Sequence, residues 1–328
     1  MNKKSRPQKT RYSIRLEDAK VNFLKEIYGD LGFTELIETL IDERIAGIKA
    51  PPNKVRSPIL RIGGKANIAS KIVEVFPQHE CFVDVFMGAC HVTFNKPQDI
   101  SKVEVINDKD EGITNLFRVI RDNPIQLREK ILQMPVSRQY FKELYKMNPL
   151  PEDAIFMAMR TFYLIRNSQY GDPRNGFRTY ANKKPSKTMA RIADELVFIS
   201  ERLKDVIIEN MDYSKLIKKY DSIGKENVLY YIDPPYIVKY RKSGYYDIPF
   251  TYEDNKKLCE LVKKVRGKVI LSHYKCKEYD EWLADWHKIE IVTHKSSSKV
   301  TDGVKERVVE CLYCNFDPNA PKKVYVQP

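Results

Sequence analysis

No apolar run in this 328-residue chain approaches the roughly 20 residues that cross a bilayer, so no membrane partner is expected. The first residues are basic but carry no apolar segment, and so do not read as a secretory signal. Cysteine is sparse: six residues, scattered except for Cys311 and Cys314. That pair falls in an expected strand, where positions three apart face opposite sides. Buried thiols are therefore expected rather than half of a zinc site, and no metal is assigned. These features together suggest a reduced, cytoplasmic protein. A full Gly-x-Gly-x-x-Gly phosphate cradle is missing as well, so a nucleotide ligand without phosphates fits better. Acids are missing from residues 1–15, which hold Lys3, Lys4, Arg6, Lys9, Arg11 and Arg15.

The remaining composition is that of a globular protein, with length for two or three domains. The 57 basic and 44 acidic residues leave a net charge of +13. Such an excess fits either a solvated basic surface or a polyanion partner, most commonly nucleic acid.

Arg11-Tyr-Ser-Ile-Arg-Leu16 alternates, with Arg11, Ser13 and Arg15 on one side and Tyr12, Ile14 and Leu16 on the other. Two helical patterns follow, over about 17–29 and from Thr34 to about Ile48. Strand, helix, helix resembles a ribbon-helix-helix module. That resemblance implies a homodimer through residues 1–50, with Arg11 and Arg15 facing the DNA major groove. The alternative is an extension that only dimerises or packs on the main domain. Residues 51–58 read as a linker.

Beyond the linker, strand-like runs end in acids. Ile59-Leu-Arg-Ile-Gly-Gly-Lys65 leads into a helical stretch reaching about Phe76. Cys81-Phe-Val-Asp-Val-Phe-Met-Gly-Ala-Cys90 reads as a strand, an acid and a glycine turn. Val103-Glu-Val-Ile-Asn-Asp108 is a second strand ending in an acid, placed to grip ribose hydroxyls or to cap the next helix. Ile207-Ile-Glu-Asn-Met-Asp-Tyr213 is a third. Val228 to Ile232 is an apolar strand stopped at once by Asp233-Pro234-Pro235-Tyr236, because two prolines cannot continue a ladder. A carboxylate and an aromatic ring are thereby expected at a strand's carboxyl end, where open α/β sheets bind ligands.

Gly63-Gly64-Lys65, Asp84-Val-Phe86-Met-Gly88, Asn107-Asp108 and Asp233-Pro234-Pro235-Tyr236, in that order, resemble the Dam-type DNA adenine methyltransferases over residues 58–316. The resemblance implies an α/β, Rossmann-like methyltransferase fold using S-adenosylmethionine. The catalytic domain would comprise residues 59–124 and 204–317, and a helical target-recognition insertion residues 125–203. By resemblance, Lys65, Gly63 and Gly64 lie at the cofactor's methionine end, and Arg61 is a further cofactor-binding candidate. Asp84, Phe86 and Gly88 form the cofactor turn, Asp108 holds the ribose, Asp212 and Tyr213 lie near the adenine, and Asp233 closes the site. The sequence departs from the family pattern in two places: Cys90 stands where a second glycine is expected, and Arg61 where relatives often carry an aromatic.

Residues 110–203 read mainly as helices, at about 110–121, 125–133, 138–147, 152–166 and 186–203. Between the last two, Arg166 to Tyr180 alternates basic groups with Tyr170, Phe177 and Tyr180, a pattern that can pair phosphates and stack bases. Arg166, Asn167, Gln169, Arg174, Asn175 and Arg178 are of the types that contact backbone or base edges in double-stranded DNA. Lys239 and Arg241, just after the Asp-Pro-Pro-Tyr motif, extend the expected DNA contact; a solvated loop is the alternative.

The chemistry expected of the motif follows from the target. An adenine amino nitrogen is a poor nucleophile because its lone pair is delocalised. Accepting both of its hydrogens, through the Asp233 carboxylate and the Pro234 carbonyl, localises that pair, and the carboxylate offsets developing positive charge. Pro235 fixes the turn, and Tyr236 stacks on a base taken out of the duplex. His273 is expected to be structural. Two other readings fit the same residues: cytosine-N4 transfer, or a DNA-binding regulator with a degenerate methyltransferase body. A cognate restriction endonuclease is a conceivable partner.

Overall fold

The structure is a computed structural model and describes residues 55–182, 184–237, 250–294 and 307–320, together with Glu35. The chain divides into two units, Met1–Ala50 and Pro51–Pro328, and the described fold belongs to the second. Arg11 and Arg15 lie outside the described residues, as do Lys239 and Arg241.

Seven strands form one sheet: β1 (Cys81–Asp84), β2 (Val103–Asn107), β3 (Val206–Glu209), β4 (Val228–Ile232), β5 (Lys268–Tyr274), β6 (His287–His294) and β7 (Arg307–Cys314), in the order β3-β2-β1-β4-β5-β7-β6. β1 to β5 pair parallel, whereas β7 is antiparallel to both of its neighbours. The central strands are buried on both faces, as parallel strands covered by helices must be. Phe82, Leu229, Tyr231, Ile270, Leu312 and Cys314 pack in one cluster, against helix α1 (Ala69–Glu74). Val83, Tyr230, Ile232, Val269, Leu271, Cys311 and Tyr313 pack in another, against helices Tyr213–Gly224 and Tyr252–Val262. This alternation is the period of two that a pleated strand imposes. It also puts Cys311 and Cys314 in different clusters, as their spacing predicts.

The chain winds from β1 outward to β3, then returns to lay β4 on the other side of β1. The carboxyl ends of β1 and β4 therefore flank the point where strand order reverses, and a crevice forms there. Asp84 ends β1 beside Tyr231, and Asp233 follows β4 directly.

Between β2 and β3 lie five helices: Glu111–Asp122, Pro124–Leu132, Arg138–Lys146, Ala154–Asn167 and Pro185–Leu203. Each starts where the sequence provides a start. Asp110, Ser137 and Asp153 accept backbone N–H groups at the first, third and fourth, and Pro124 and Pro185 open the others. These helices close around a shared apolar core that includes Leu116, Phe117, Leu127, Phe141, Phe162 and Leu196.

The strand that carries Cys311 and Cys314, β7, lies between β5 and β6, so the edge on that side is β6, whose outer positions are exposed. Two expectations need correction. The third strand ends at Glu209, before Asp212. The end of the expected linker is not loose: Pro58 is buried, and Ile59 is fully buried in the helical core.

Candidate active site

The crevice is lined by Arg61, Gly63, Gly64, Lys65, Asp84, Phe86, Gly88, Asp108, Asp212, Tyr213, Asp233, Pro235 and Tyr236. Residues from five separate stretches of sequence thus meet at one cleft. Pro234 is buried beneath it.

Lys65 is the hub. Its ammonium, 5% exposed, donates to both oxygens of Asp233 at 2.7 and 2.6 Å, to the Tyr236 hydroxyl at 2.7 Å and to the Gly63 carbonyl at 3.0 Å. Lys65 also sits over the Tyr236 ring, 5.0 Å from its centroid. Burial raises the Asp233 carboxyl to about 6, against the opposing pull of Lys65 and with the added push of Glu310. The Tyr236 hydroxyl donates to Glu310 Oε1 at 2.5 Å, and Ser272 donates to the same oxygen at 2.5 Å. Glu310 escaped the sequence reading, although a lone acid inside the apolar run Val308-Val-Glu-Cys-Leu-Tyr was a signal.

His273 is structural, as expected. It is fully buried and stacked on Tyr279 at 4.2 Å. Its Nε2 accepts the Ile237 N–H at 3.3 Å, so Nδ1 carries the proton and donates to the Tyr274 carbonyl at 2.7 Å. Burial lowers its pKa to about 3, so the ring is neutral and holds the chain just after Tyr236.

On the β1 side, Thr93 donates to Asp84 Oδ2 at 2.8 Å, while buried Oδ1 has no hydrogen-bond partner among the described residues. Burial pushes the Asp84 carboxyl up to about 7. The turn beyond is held by Asp108: Gly88 N–H donates to one of its oxygens at 3.0 Å and Asp110 N–H to the other at 2.9 Å. The helix cap is Asp110, not Asp108, and Asp110 also pairs with Arg61 at 3.0 Å. Gly88 has φ of +47°, and a Cβ there would point into open space. Cys90 adopts φ of 57°, the left-handed conformation that explains why glycine is usual at this place. It is fully buried and its N–H donates to the Met87 carbonyl, so packing holds the strained backbone. Phe86, Tyr213 and Phe250 form a ring cluster with centroids 5.6–5.7 Å apart. Asp212 pairs with Lys109 at 3.3 Å and accepts the Ser214 hydroxyl at 2.7 Å.

Away from the cleft, residues 167–178 fold back on themselves through an isolated bridge between Ser168 and Phe177 and an Arg178 N–H bond to the Asn167 carbonyl at 2.7 Å. Gln169, Tyr170, Asn175 and Arg178 are exposed, and Arg166 is half-buried. Asn167 is fully buried, with its amide nitrogen bonded to the Tyr163 carbonyl at 3.0 Å and its oxygen accepting from Tyr180 at 3.2 Å. It holds the loop in place and presents no edge to a base. Arg174 is half-buried and clamped by Asp172 at 2.9 and 3.0 Å, so its fork is already engaged.

A parallel sheet with one reversed strand, and Asp-Pro-Pro-Tyr at its switch point beside a glycine turn, define an α/β enzyme of the methyltransferase class. Residues 62–298 match the family of D12 class N6 adenine-specific DNA methyltransferases, well over half the chain. The protein belongs to that family, and its reaction is methylation of DNA adenine at N6. It is similar to the type II methyltransferase M1.LlaDCHI of Lactococcus lactis subsp. cremoris, at 27% identity over 77% of this chain and 93% of that one. It is also similar to the DNA adenine methylase of Escherichia coli K12, at 23% identity over 76% of this chain and 91% of that one. The modification methylase StsI of Streptococcus sanguinis matches at 24% identity over 56% of this chain, which spans only 29% of its length. Among the described residues, no helix is long and apolar enough to cross a membrane.

Proposed function

We propose that the chain is a cytoplasmic, site-specific enzyme that methylates adenine in double-stranded DNA from S-adenosylmethionine, with Asp233 as the acceptor that activates the target amino group. The observation that carries this reading is the Asp233 carboxylate, fixed by Lys65 at the end of β4 and opening on the cleft. The residues present suit the cofactor. Asp84 Oδ1 is a buried acceptor awaiting a donor, Gly88 leaves room where a side chain would intrude, and the Phe86, Tyr213 and Phe250 rings offer apolar faces for a purine. When bound, the cofactor supplies an electrophilic methyl group on a sulfonium.

In this reading Asp233 and the Pro234 carbonyl accept the two hydrogens of the adenine amino group. Proline contributes no competing N–H, and Pro235 keeps the turn rigid. Tyr236, whose phenol is pinned by Lys65 and Glu310, offers its ring to the extruded base. Holding the reacting atoms in line contributes a proximity effect that reaches about 7–11 kcal/mol in favourable cases. Arg61, Gly63, Gly64, Lys65, Asp108 and Asp212 border the cofactor. Gln169, Tyr170, Arg178 and the half-buried Arg166 form the described part of the DNA surface, and residues 125–203 act as the target-recognition insertion. Residues 1–50 add a dimerising or DNA-reading module, and a cognate endonuclease completes the system. Sequencing the methylated bases of DNA from an expressing host tests this reading: N6-methyladenine in one recurring sequence supports it, and unmodified adenines throughout overturn it.

A further inference from the structure

We propose that Glu310 is a positioning residue of the transfer site, which anchors Tyr236 and restores net negative charge to a pocket where Lys65 alone would neutralise Asp233. The proposal rests on the reading of Asp233 given above.

Glu310 lies on β7, 2% exposed, with neighbours Cys311 and Leu312 fully buried. Burying a carboxylate costs several kcal/mol unless an excellent ion pair repays it. The ammonium that faces Glu310 stands 3.6 Å away, while the same ammonium is 2.6 Å from Asp233. Lys65 is therefore engaged mainly with Asp233. Glu310 instead accepts two short hydroxyl bonds, from Tyr236 and Ser272. A neutral amide could hold both hydroxyls equally well, so anchoring alone does not account for the charge.

The charge balance does. Among the described residues, one cation, Lys65, faces two acids, Asp233 and Glu310. With Glu310 the group carries a net charge of −1; without it, zero. Positive charge develops on the target nitrogen during transfer, and a fixed negative pocket in a partly desolvated site lowers that barrier. Glu310 cannot reach the target itself, because the Tyr236 hydroxyl and Lys65 stand between it and Asp233. It acts through them.

The test is the acid limb of the pH–rate profile at saturating cofactor, to which Asp233 and the neighbouring Asp84 both contribute. The titratable groups around that carboxylate are Lys65 from the turn before α1, Asp84 from β1, Tyr231 from β4, Tyr236 and Glu310, with His273 and Tyr274 behind the Tyr236 ring. Glu310 pushes the Asp233 pKa up, so removing its charge lowers it. Single-turnover methylation of unmethylated plasmid DNA by the full chain should fall on the order of tenfold in Glu310→Gln at the plateau. KM for cofactor and DNA should hold, and the acid limb should move to lower pH. Glu310→Asp, which keeps the charge, should retain more rate and the original limb. A folded Glu310→Gln chain with wild-type rate and limb overturns the proposal. So does equal loss in both variants with no limb movement, which is the mark of packing alone. If Glu310→Gln does not fold, Tyr236→Phe cuts the same link without removing charge. A several-fold lower rate is expected, with the limb moved to higher pH because the Tyr236 hydrogen bond holds the Asp233 carboxyl down, and an unchanged rate overturns the anchoring role. Asp233→Ala separates the two readings. If it still methylates, the assignment of Asp233 fails; if it is inactive while Glu310→Gln equals wild type, only the role of Glu310 fails.

Discussion

The Lys65 ammonium chelates both carboxylate oxygens of Asp233, at 2.7 and 2.6 Å, joining two motifs 168 residues apart in sequence. One turn before a short helix thus fixes the rotamer and charge of the acid proposed to activate the target amino group. Replacing Lys65 by Met leaves the half-buried Asp233 and the buried Glu310 as neighbouring acids, with no cation between them among the described residues. Breaking a buried pair from one side costs about 3–5 kcal/mol, and a loss of that order is expected in a denaturant melt at pH 8. In whatever remains folded, Asp233 should titrate higher and activity near pH 7 should collapse. A Lys65→Met chain with wild-type stability and pH profile would contradict the role of this contact.

Asp84 sets stability against function. Its folded-state pKa, about 7, lies above the ordinary aspartate value of 3.8. The folded chain therefore holds this proton where the unfolded chain has lost it, and ionised Asp84 destabilises the fold as pH rises. Asp84→Asn should give no gain near pH 3, an increasing gain between about pH 4 and 7, and a plateau above, on the order of 2–4 kcal/mol. The same change should weaken cofactor binding above about pH 7, where the wild-type carboxyl is ionised and the amide is not. Thermal melts across pH, with and without cofactor, check both halves.

Two glycines with positive φ should fail in different ways. Gly171 has φ of +75°, and a Cβ there would lie 2.3 Å from the Leu60 carbonyl oxygen, a backbone atom that cannot swing aside. Gly171→Ala should cost more than the ~1 kcal/mol of left-handed strain alone and show up as lost stability. At Gly88 the added methyl meets nothing within 4 Å. Gly88→Ala should cost only about that strain and appear chiefly as a raised KM for cofactor. Equal effects of the two on Tm would sink this distinction.

The cysteines should be unreactive. Five of the six are buried, and burial pushes the thiols of Cys81, Cys276 and Cys311 up to about 11 and those of Cys259 and Cys314 to about 12. Few thiolates exist at pH 8, so a disulfide reagent should label the native chain slowly and all six after unfolding. Rapid stoichiometric labelling of native protein would show that these sites open far more readily than their packing suggests.

What could be read beforehand divides along physical lines. The helices between β2 and β3 and the strand Val228–Ile232 announced themselves through caps, prolines and apolar periodicity, all local signals. The cleft acids were legible because strand-end acids recur at Asp84, Asp108 and Asp233. Pairings across the fold were not legible. Nothing near Lys65 says that it faces Asp233, and β7 gives no hint that Glu310 meets Tyr236. Asn167 looked like a base-reading amide because polarity in a basic loop is ambiguous; burial by Tyr163, Met189 and Tyr180 decided against it. Edge strand β6 was missed because its outward residues dilute the apolar run.

The role of Asp233 is tested most directly by transfer of tritiated methyl from S-adenosylmethionine to unmethylated duplex DNA, followed by identification of the labelled base, for wild type and Asp233→Ala side by side. Label in N6-methyladenine is expected with the wild type, and none with Asp233→Ala although that chain still folds and binds cofactor. Label on cytosine, or undiminished transfer by Asp233→Ala, would contradict the mechanism.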